Sequence, residues 1–338
     1  MEGKRRPGTG KSTLADVAKR VGVSAMTVSR ALRAPEKVSD ALREKIQQVI
    51  AELGYVPNLA ASALASASSR LITLVVPSLK TPGCSVIYHT LQQQLLPEGY
   101  NILLSEADNA HSRGSELIET LLAYNPAAIV QYHFDNSPAA HKILANAAIP
   151  VVEIGGMNRA PIGISVGCDY AGAVKTLVQE LIASGYRNPG LLCSHDQQSI
   201  FQQMLTGWNS AMLAANLSPH RVVSTPLPPT FTTGHSLLPE ILLTWPELDL
   251  LICTADDVAC GAILACHNQG IAVPQQLAIA GIGGSELAAI CSPALTTMSI
   301  TWQDMATRAA ENLLALLKGQ QVDEISTTAA RLVKRAST

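Results

Sequence analysis

Residues 13–33, TLADVAKRVGVSAMTVSRALR, constrain this chain more than any other stretch. Two short helical patterns flank one glycine. Leu14, Val17, Ala18 and Val21 recur at helical spacing, and Thr13 precedes them with Asp16 three residues on, a capping-box-like pair. Gly22 stands where the first helix must end in a left-handed residue. Ser24 is placed to cap a second helix whose inner face is Val28, Ala31 and Leu32. Ala18, Gly22 and Val28 form the steric skeleton of a helix-turn-helix: the alanine lets the helices cross closely, the glycine turns the chain, and the valine fills the gap. Ala25, Met26, Thr27, Ser29 and Arg30 then face outward, with side chains suited to base edges and phosphates in a DNA major groove. An ordinary helical hairpin in a core has the same apolar spacing, so the neighbouring features decide.

Charge is the first of these. The 338 residues carry a net charge of only −2, but residues 1–70 hold twelve Lys and Arg against six Asp and Glu, while the remainder holds twelve basic and twenty acidic residues. A headpiece of net +6 on a body of net −8 fits a nucleic-acid binder with a separate regulatory domain. Hydrophobic residues make up 47% and charged residues 15%, so most of the chain is expected to be packed globular protein of two or three domains.

The segment GTGKST at 8–13 imitates the end of a phosphate-binding loop. The full motif needs a glycine where Arg5 stands and a strand before it, where only a charged tail exists. A basic arm beside DNA phosphates is the expected role of residues 1–11. Ser39 can cap a third helix carrying Leu42, Ile46, Val49, Ile50 and Leu53, closed by Gly54. The Ala- and Ser-rich stretch from Leu59 to Ser69 has no core of its own and reads as a linker or as a short helix formed on a partner.

From Leu71 apolar strands alternate with helices. Strands are expected at 71–76, 101–105, 127–131, 150–154, 162–166, 190–194, 221–224, 250–254 and 277–282, and helices at 85–97, 114–124, 137–147, 170–184, 199–215, 234–243, 256–269 and 302–318. That alternation predicts parallel sheets covered on both faces, better divided into two doubly wound halves than built as one sheet, with a ligand in the cleft between them. The seven cysteines form no CxxC pair and read as reduced core residues of a cytosolic protein. No apolar stretch approaches the roughly 18 residues of a membrane span, and no hydrophobic run follows the N-terminal charges, so neither membrane nor secretion is expected.

With these residues in view, the chain resembles the LacI/GalR family of bacterial transcription repressors over essentially its whole length. TLADVAKRVGVSAMTVSRAL resembles the family's N-terminal signature, GYVPNLAASALA its hinge, and CTADDVACGA and SPALTTM landmarks of its periplasmic-binding-protein-like core. MTVSR, VPSL, IPVVE, VG-D and CT-DD look most like its gluconate and idonate repressors. The resemblance implies an all-α helix-turn-helix headpiece at 12–57 behind a basic tail at 1–11, a hinge at 58–69, and an α/β core at 70–338. The core's N-subdomain would comprise about 70–167 and 299–324, and its C-subdomain about 168–298 and 325–338. It also implies a homodimer on double-stranded operator DNA and a small effector, a sugar or sugar acid, between the subdomains. No cofactor is expected. Residues 325–338 lack leucine heptads, so no coiled-coil tetramer is expected.

By position in the family, Ala25, Met26 and Arg30 read bases, and Thr13, Leu14, Thr27, Ser29 and Asn58 hold phosphates or the DNA edge, with Ser24 at the start of the recognition helix. Leu64 falls on the leucine that wedges into the minor groove; the lesser reading is a residue buried between paired hinge helices, and both can hold. Leu59 replaces a usual Arg. Cleft positions fall on Ser78, Glu153, Asp169, Met204, Ala255, Asp256, Gly283 and Trp302. The carboxylates and hydroxyl suit a polyol, and Trp302 can stack on a sugar ring. Met204, Ala255 and Gly283 replace polar residues, and Met204 is equally readable as core packing. Residues 58–66 are too short and apolar-poor to hold a lone helix, so their order would depend on DNA and on the spacing of the cores.

Catalysis has little to draw on. His195-Asp196 follows a strand, where a binding loop would sit, but reads more readily as a surface loop, and Asp256-Asp257 opens a helix, where acids stabilise the N-terminus. No metal spacing and no Gly-x-Ser-x-Gly occurs, so neither a catalytic nor a metal site is expected. The alternative, a sugar-binding or sugar-kinase-like protein with an incidental basic N-terminus, would need a signal peptide or an intact phosphate loop.

Overall fold

The computed structural model describes residues 12–33, 37–56, 69–107, 114–132, 137–194 and 199–338. The chain divides into two units, Met1–Ser69 and Arg70–Thr338.

In the first unit, α1 (Leu14–Val21), α2 (Ala25–Arg33) and α3 (Asp40–Leu53) enclose a small core of Val17, Ala18, Val21, Val28, Ala31, Ile46 and Val49. The capping box forms: the Asp16 amide donates to Thr13 Oγ1 at 3.3 Å, and the Thr13 amide donates to Asp16 Oδ2 at 2.9 Å. Gly22 ends α1 at φ 84°, ψ 33°, and a Cβ there would meet nothing within 4 Å. The glycine is therefore required for its left-handed backbone rather than for space. Ser24 caps α2, accepting from the Thr27 amide at 3.1 Å.

Two expectations change. Leu32 is 38% exposed rather than part of the inner face, which Val28 and Ala31 form. Ser39 occupies the N-cap of α3, but its side chain makes no capping bond.

The second unit contains two six-stranded sheets. The first has the order β11-β5-β4-β3-β1-β2, from β1 (Leu71–Val76), β2 (Asn101–Glu106), β3 (Ala128–Tyr132), β4 (Val151–Gly156), β5 (Ile164–Cys168) and β11 (Ile325–Thr328), all parallel. The second has the order β12-β10-β9-β8-β6-β7, from β6 (Pro189–Ser194), β7 (Val222–Thr225), β8 (Leu250–Cys253), β9 (Ala278–Gly283), β10 (Thr296–Ile300) and β12 (Ala330–Val333), parallel except for the antiparallel β10–β12 edge. Their helices are α4 (Cys84–Leu95), α5 (Gly114–Ala123), α6 (Pro138–Ala145), α7 (Tyr170–Ala183), α8 (Ser199–Ala214), α9 (Phe231–Thr244), α10 (Asp256–Gln269), α11 (Glu286–Ile290) and α12 (Trp302–Leu317). Strands buried on both faces, such as LITLVV and LLIC, need helices on each side of the sheet.

One apolar core, running from Ile72 and Leu74 through Trp208 to Ile252 and Leu313, joins the inner faces of both sheets. Smaller cores cover the outer face of each. The expected subdomain boundary at 299 and 324 shifts. Ser299 still pairs with Gly283 in the second sheet, and β11 pairs with β5 from Ile325↔Ser165 to Thr328↔Cys168 in the first. The return through the first half thus runs from Trp302 to Thr328. All seven cysteines are free, six of them buried.

Candidate functional site

On the helix-turn-helix, the residues expected to face DNA are on the outside. Met26 is 71% exposed, and Ala25, Ser24 and Arg30 are exposed as well. Thr27 and Ser29 are half-buried, and the Thr27 hydroxyl lies 2.9 Å from Ser24 Oγ. Thr13 is exposed, but its hydroxyl donates to Asp16 Oδ2 at 2.7 Å, so it is committed to the cap, while Leu14 is half-buried against the core. The Thr13 hydroxyl, followed by its amide, holds the Asp16 carboxyl below its usual range. Ser12 Oγ donates to the Leu53 carbonyl at 2.8 Å, so the hydroxyls at 12 and 13 that imitated a phosphate loop both serve the headpiece fold. Asn58 and Leu64 lie outside the described residues, as do His195 and Asp196.

In the second unit, a cleft of about 570 Å³, counted out to its mouth, lies at the carboxyl ends of the strands of both sheets. Thr81 and Pro82 reach it from the loop after β1, Ser194, Thr254 and Gly283 from the ends of β6, β8 and β9, Ile300 from β10, and Ile200, Phe201 and Met204 from α8. Trp302, opening α12, forms its wall with its ring edge-to-face on Tyr132, centroids 6.3 Å apart. Gly83 makes room for that ring: a Cβ there would lie 2.6 Å from Trp302 Cδ2 and 2.8 Å from the Tyr132 hydroxyl. The Tyr132 hydroxyl donates to the Pro82 carbonyl.

Of the expected cleft residues, Met204, Ala255, Gly283 and Trp302 line this space, and the four polar ones do not. Glu153, on β4, accepts from Asn158 Nδ2 at 2.6 Å and the Ile162 amide at 2.8 Å, and so fastens the β4–β5 connection. Asp169 caps α7 through the Gly172 amide at 2.9 Å. Ser78 Oγ accepts from the Lys80 amide at 3.2 Å in the turn after β1. Asp256 is 3% exposed, and its oxygens take the Gly284 and Ser285 amides at 2.6 and 2.7 Å and the Thr297 hydroxyl at 2.5 Å. Glu153 and Asp256 are thus held by groups of the protein itself, whereas Asp169 is exposed and Ser78 half-buried, each with one backbone amide on an oxygen.

Thr81, Phe201, Ser194 and Thr254 were missed as lining residues. For Ser194 and Thr254 the signal was present, since both stand at strand ends. Among the described residues no group of three His, Cys, Asp or Glu could hold a metal ion, and no helix is long and apolar enough to cross a membrane.

Comparison with known proteins agrees with both units. Residues 13–58 match the model for bacterial regulatory proteins of the lacI family, and residues 178–338 match a periplasmic binding protein-like domain. The HTH-type transcriptional regulator GntR of Escherichia coli (strain K12) is 34% identical over 320 residues, 94% of each chain. The regulator IdnR of the same strain is 30% identical over 306 residues, 90% of this chain and 92% of its own. A LacI-family transcriptional regulator from Silicibacter pomeroyi superposes with a TM-score of 0.88 at 27% identity, covering 96% of this chain and 99% of that one. With a helix-turn-helix of this geometry, a two-halved α/β core and relatives of this identity over most of its length, the chain is a DNA-binding transcriptional regulator and belongs to the LacI family.

Proposed function

We propose that the chain is a cytoplasmic, non-catalytic repressor of a carbohydrate or sugar-acid utilisation operon. It binds a palindromic operator as a homodimer and is controlled by a small effector in the cleft at 81–302. The observation that carries the DNA reading is the exposed face of α2: Met26 and Arg30 stand free of the three-helix core that holds them rigidly. Arg30 is suited to grip a guanine bidentately, and Met26 and Ala25 to touch a thymine methyl. The residues assigned to the DNA face are thus Ser24, Ala25, Met26, Thr27, Ser29 and Arg30, with Thr13, Leu14, Asn58 and Leu64 around the edge and the minor groove.

One recognition helix per chain reads half a site, so two copies are needed about a turn of DNA apart. An effector that changes the relation between the two sheets alters the spacing of the paired headpieces and so biases DNA affinity without touching DNA. Selection from randomised palindromic DNA followed by mobility-shift titration tests this. The expected result is one enriched palindrome, retained by a dimer at physiological salt. Failure to discriminate it from scrambled DNA rejects the reading.

A further inference from the structure

The seven cysteines are not alike. Six are buried, and Cys291 alone is half-exposed. It stands just past α11, in the connection from β9 to β10, and packs against the outer core of the second sheet, to which Cys260 of α10 belongs. The two thiols are joined. Cys260 donates to Cys291 Sγ, and Cys291 donates in turn to the Pro293 carbonyl at 3.2 Å. Burial, and after it the neighbouring Cys291, push the Cys260 thiol up, so it keeps its proton in the reduced protein. Sulfur atoms already in contact are the first requirement of a disulfide.

The same helix holds the other end of this connection. Asp256, at the start of α10, takes the Gly284 and Ser285 amides at 2.6 and 2.7 Å, and Ser285 then caps α11 by accepting from the Ala288 amide at 3.3 Å. Cys260 follows Asp256 by four residues, so both side chains leave the same face of α10 and meet the β9–β10 connection at its two ends.

We infer that Cys260 and Cys291 form a reversible intrachain disulfide when the protein meets a peroxide, and that this bond pins the β9–β10 connection to α10 at a second point. Peroxide reaches the half-exposed thiol first. The Cys291 sulfur attacks one peroxide oxygen, the O–O bond breaks, and the departing hydroxide takes up the thiol proton as water. Cys291 is then a sulfenic acid. The Cys260 sulfur attacks the Cys291 sulfur, the S–O bond breaks, and the hydroxyl leaves with the Cys260 proton as a second water. Two thiols are oxidised to one disulfide, and one peroxide is reduced to two waters. Exchange with a small dithiol reverses the bond. Gly283, which lines the cleft, immediately precedes the pinned connection, so oxidation stiffens the support of one cleft wall. The inference does not depend on what the cleft binds.

The test treats the reduced full chain with a molar excess of hydrogen peroxide, quenches it, denatures it in an alkylating agent and maps the peptides by mass. The expected product has lost two hydrogens, with the peptides of Cys260 and Cys291 joined and the remaining cysteines alkylated. Dithiothreitol should restore both thiols. Cys260→Ala should halt the reaction at a Cys291 sulfenic acid that dimedone traps, whereas Cys291→Ala should leave Cys260 a free thiol, because the buried partner is not attacked first. Should Cys260→Ala fail to fold, the parent map and Cys291→Ala, at the half-exposed position, still decide. A bridge between other cysteines, a bridge between two copies of the chain, two free thiols at 260 and 291, or Cys291 carried to the sulfinic acid without a bridge each overturns the inference. Amide exchange reads the second half. Protection over residues 284–290 should rise about tenfold in the oxidised chain, and equal exchange in both forms would show that the bond pins nothing.

Discussion

The Thr297 hydroxyl, on β10, donates to Asp256 Oδ1 at 2.5 Å, and the same carboxylate receives the Gly284 and Ser285 amides that turn the chain out of β9. An acid at a strand end, in a cleft-forming half, is here a clamp on the loop that carries Gly283 to the ligand space. Its position is the one a ligand-binding residue would hold, and its partners show that it holds the loop.

Asp256→Ala should therefore act on stability first. Two buried amides and a buried hydroxyl would lose their acceptor, at a cost of about 3 kcal/mol. Asp256→Asn, which keeps one acceptor oxygen, should cost less. Urea unfolding followed by Trp fluorescence checks this. An Asp256→Ala chain as stable as the parent would show that the clamp contributes nothing.

The Asp16 carboxyl has its pKa lowered from 3.8 by the Thr13 hydroxyl and amide. A depressed acid stabilises the folded state above the unfolded pKa and loses that contribution as pH falls through the folded value. Order in α1 should thus weaken below about pH 4, and Asp16→Asn should flatten that dependence. Amide exchange in residues 14–21 across pH 3–6, corrected for intrinsic rates, reads it. Equal acid sensitivity in both proteins would remove Asp16 as the cause.

Local features were legible in the sequence and distant partners were not. The turn at Gly22, the capping box at Thr13 and the apolar runs at 71–76 and 250–254 depend on neighbours a few residues away, and the structure has them where spacing placed them. The strands β11 and β12, reading ISTT and ARLV, went unpredicted because they are short, half-exposed edge strands with no apolar run. Glu153 and Asp256 fall on ligand positions of the family, and a position does not show the amide that folds over its side chain. For Asp256 those partners lie 28, 29 and 41 residues away. Thr81 offered no signal, since it reaches the cleft from the loop after β1 rather than from a strand end.

Gly83 combines a left-handed φ of 78° with a tight seat under Trp302. Gly83→Ala meets both obstacles, the strained backbone and a methyl 2.6 Å from the indole. The backbone alone should cost about 1–2 kcal/mol, and the ring must move off Tyr132. Quenching or a spectral shift of Trp302 emission, isolated in a chain with Trp208 and Trp245 changed to Phe, measures the movement. An unshifted spectrum with unchanged stability would mean that the ring does not depend on this seat.

Gly22 and Arg30 together test the headpiece. Gly22→Ala has space but not the backbone, since φ is 84° with nothing within 4 Å of the added methyl. It should cost about 1–2 kcal/mol and raise amide exchange in α1 and α2 while leaving sequence preference intact once the headpiece is folded. Arg30→Ala should do the reverse. The residue is exposed and contributes little to the core, so folding is kept, and operator affinity falls by about 1–3 kcal/mol per half-site. The loss should appear in the ratio of specific to scrambled DNA, because a base contact carries sequence information that a phosphate contact does not. Substituting Lys4, Arg5 or Arg6 should instead weaken all DNA alike and flatten the salt dependence. Titrations at several salt concentrations against both DNAs separate the three outcomes. An Arg30→Ala protein with an unchanged specificity ratio would remove Arg30 from the reading surface, and the base contacts would then have to come from Ala25, Met26 and their neighbours on α2.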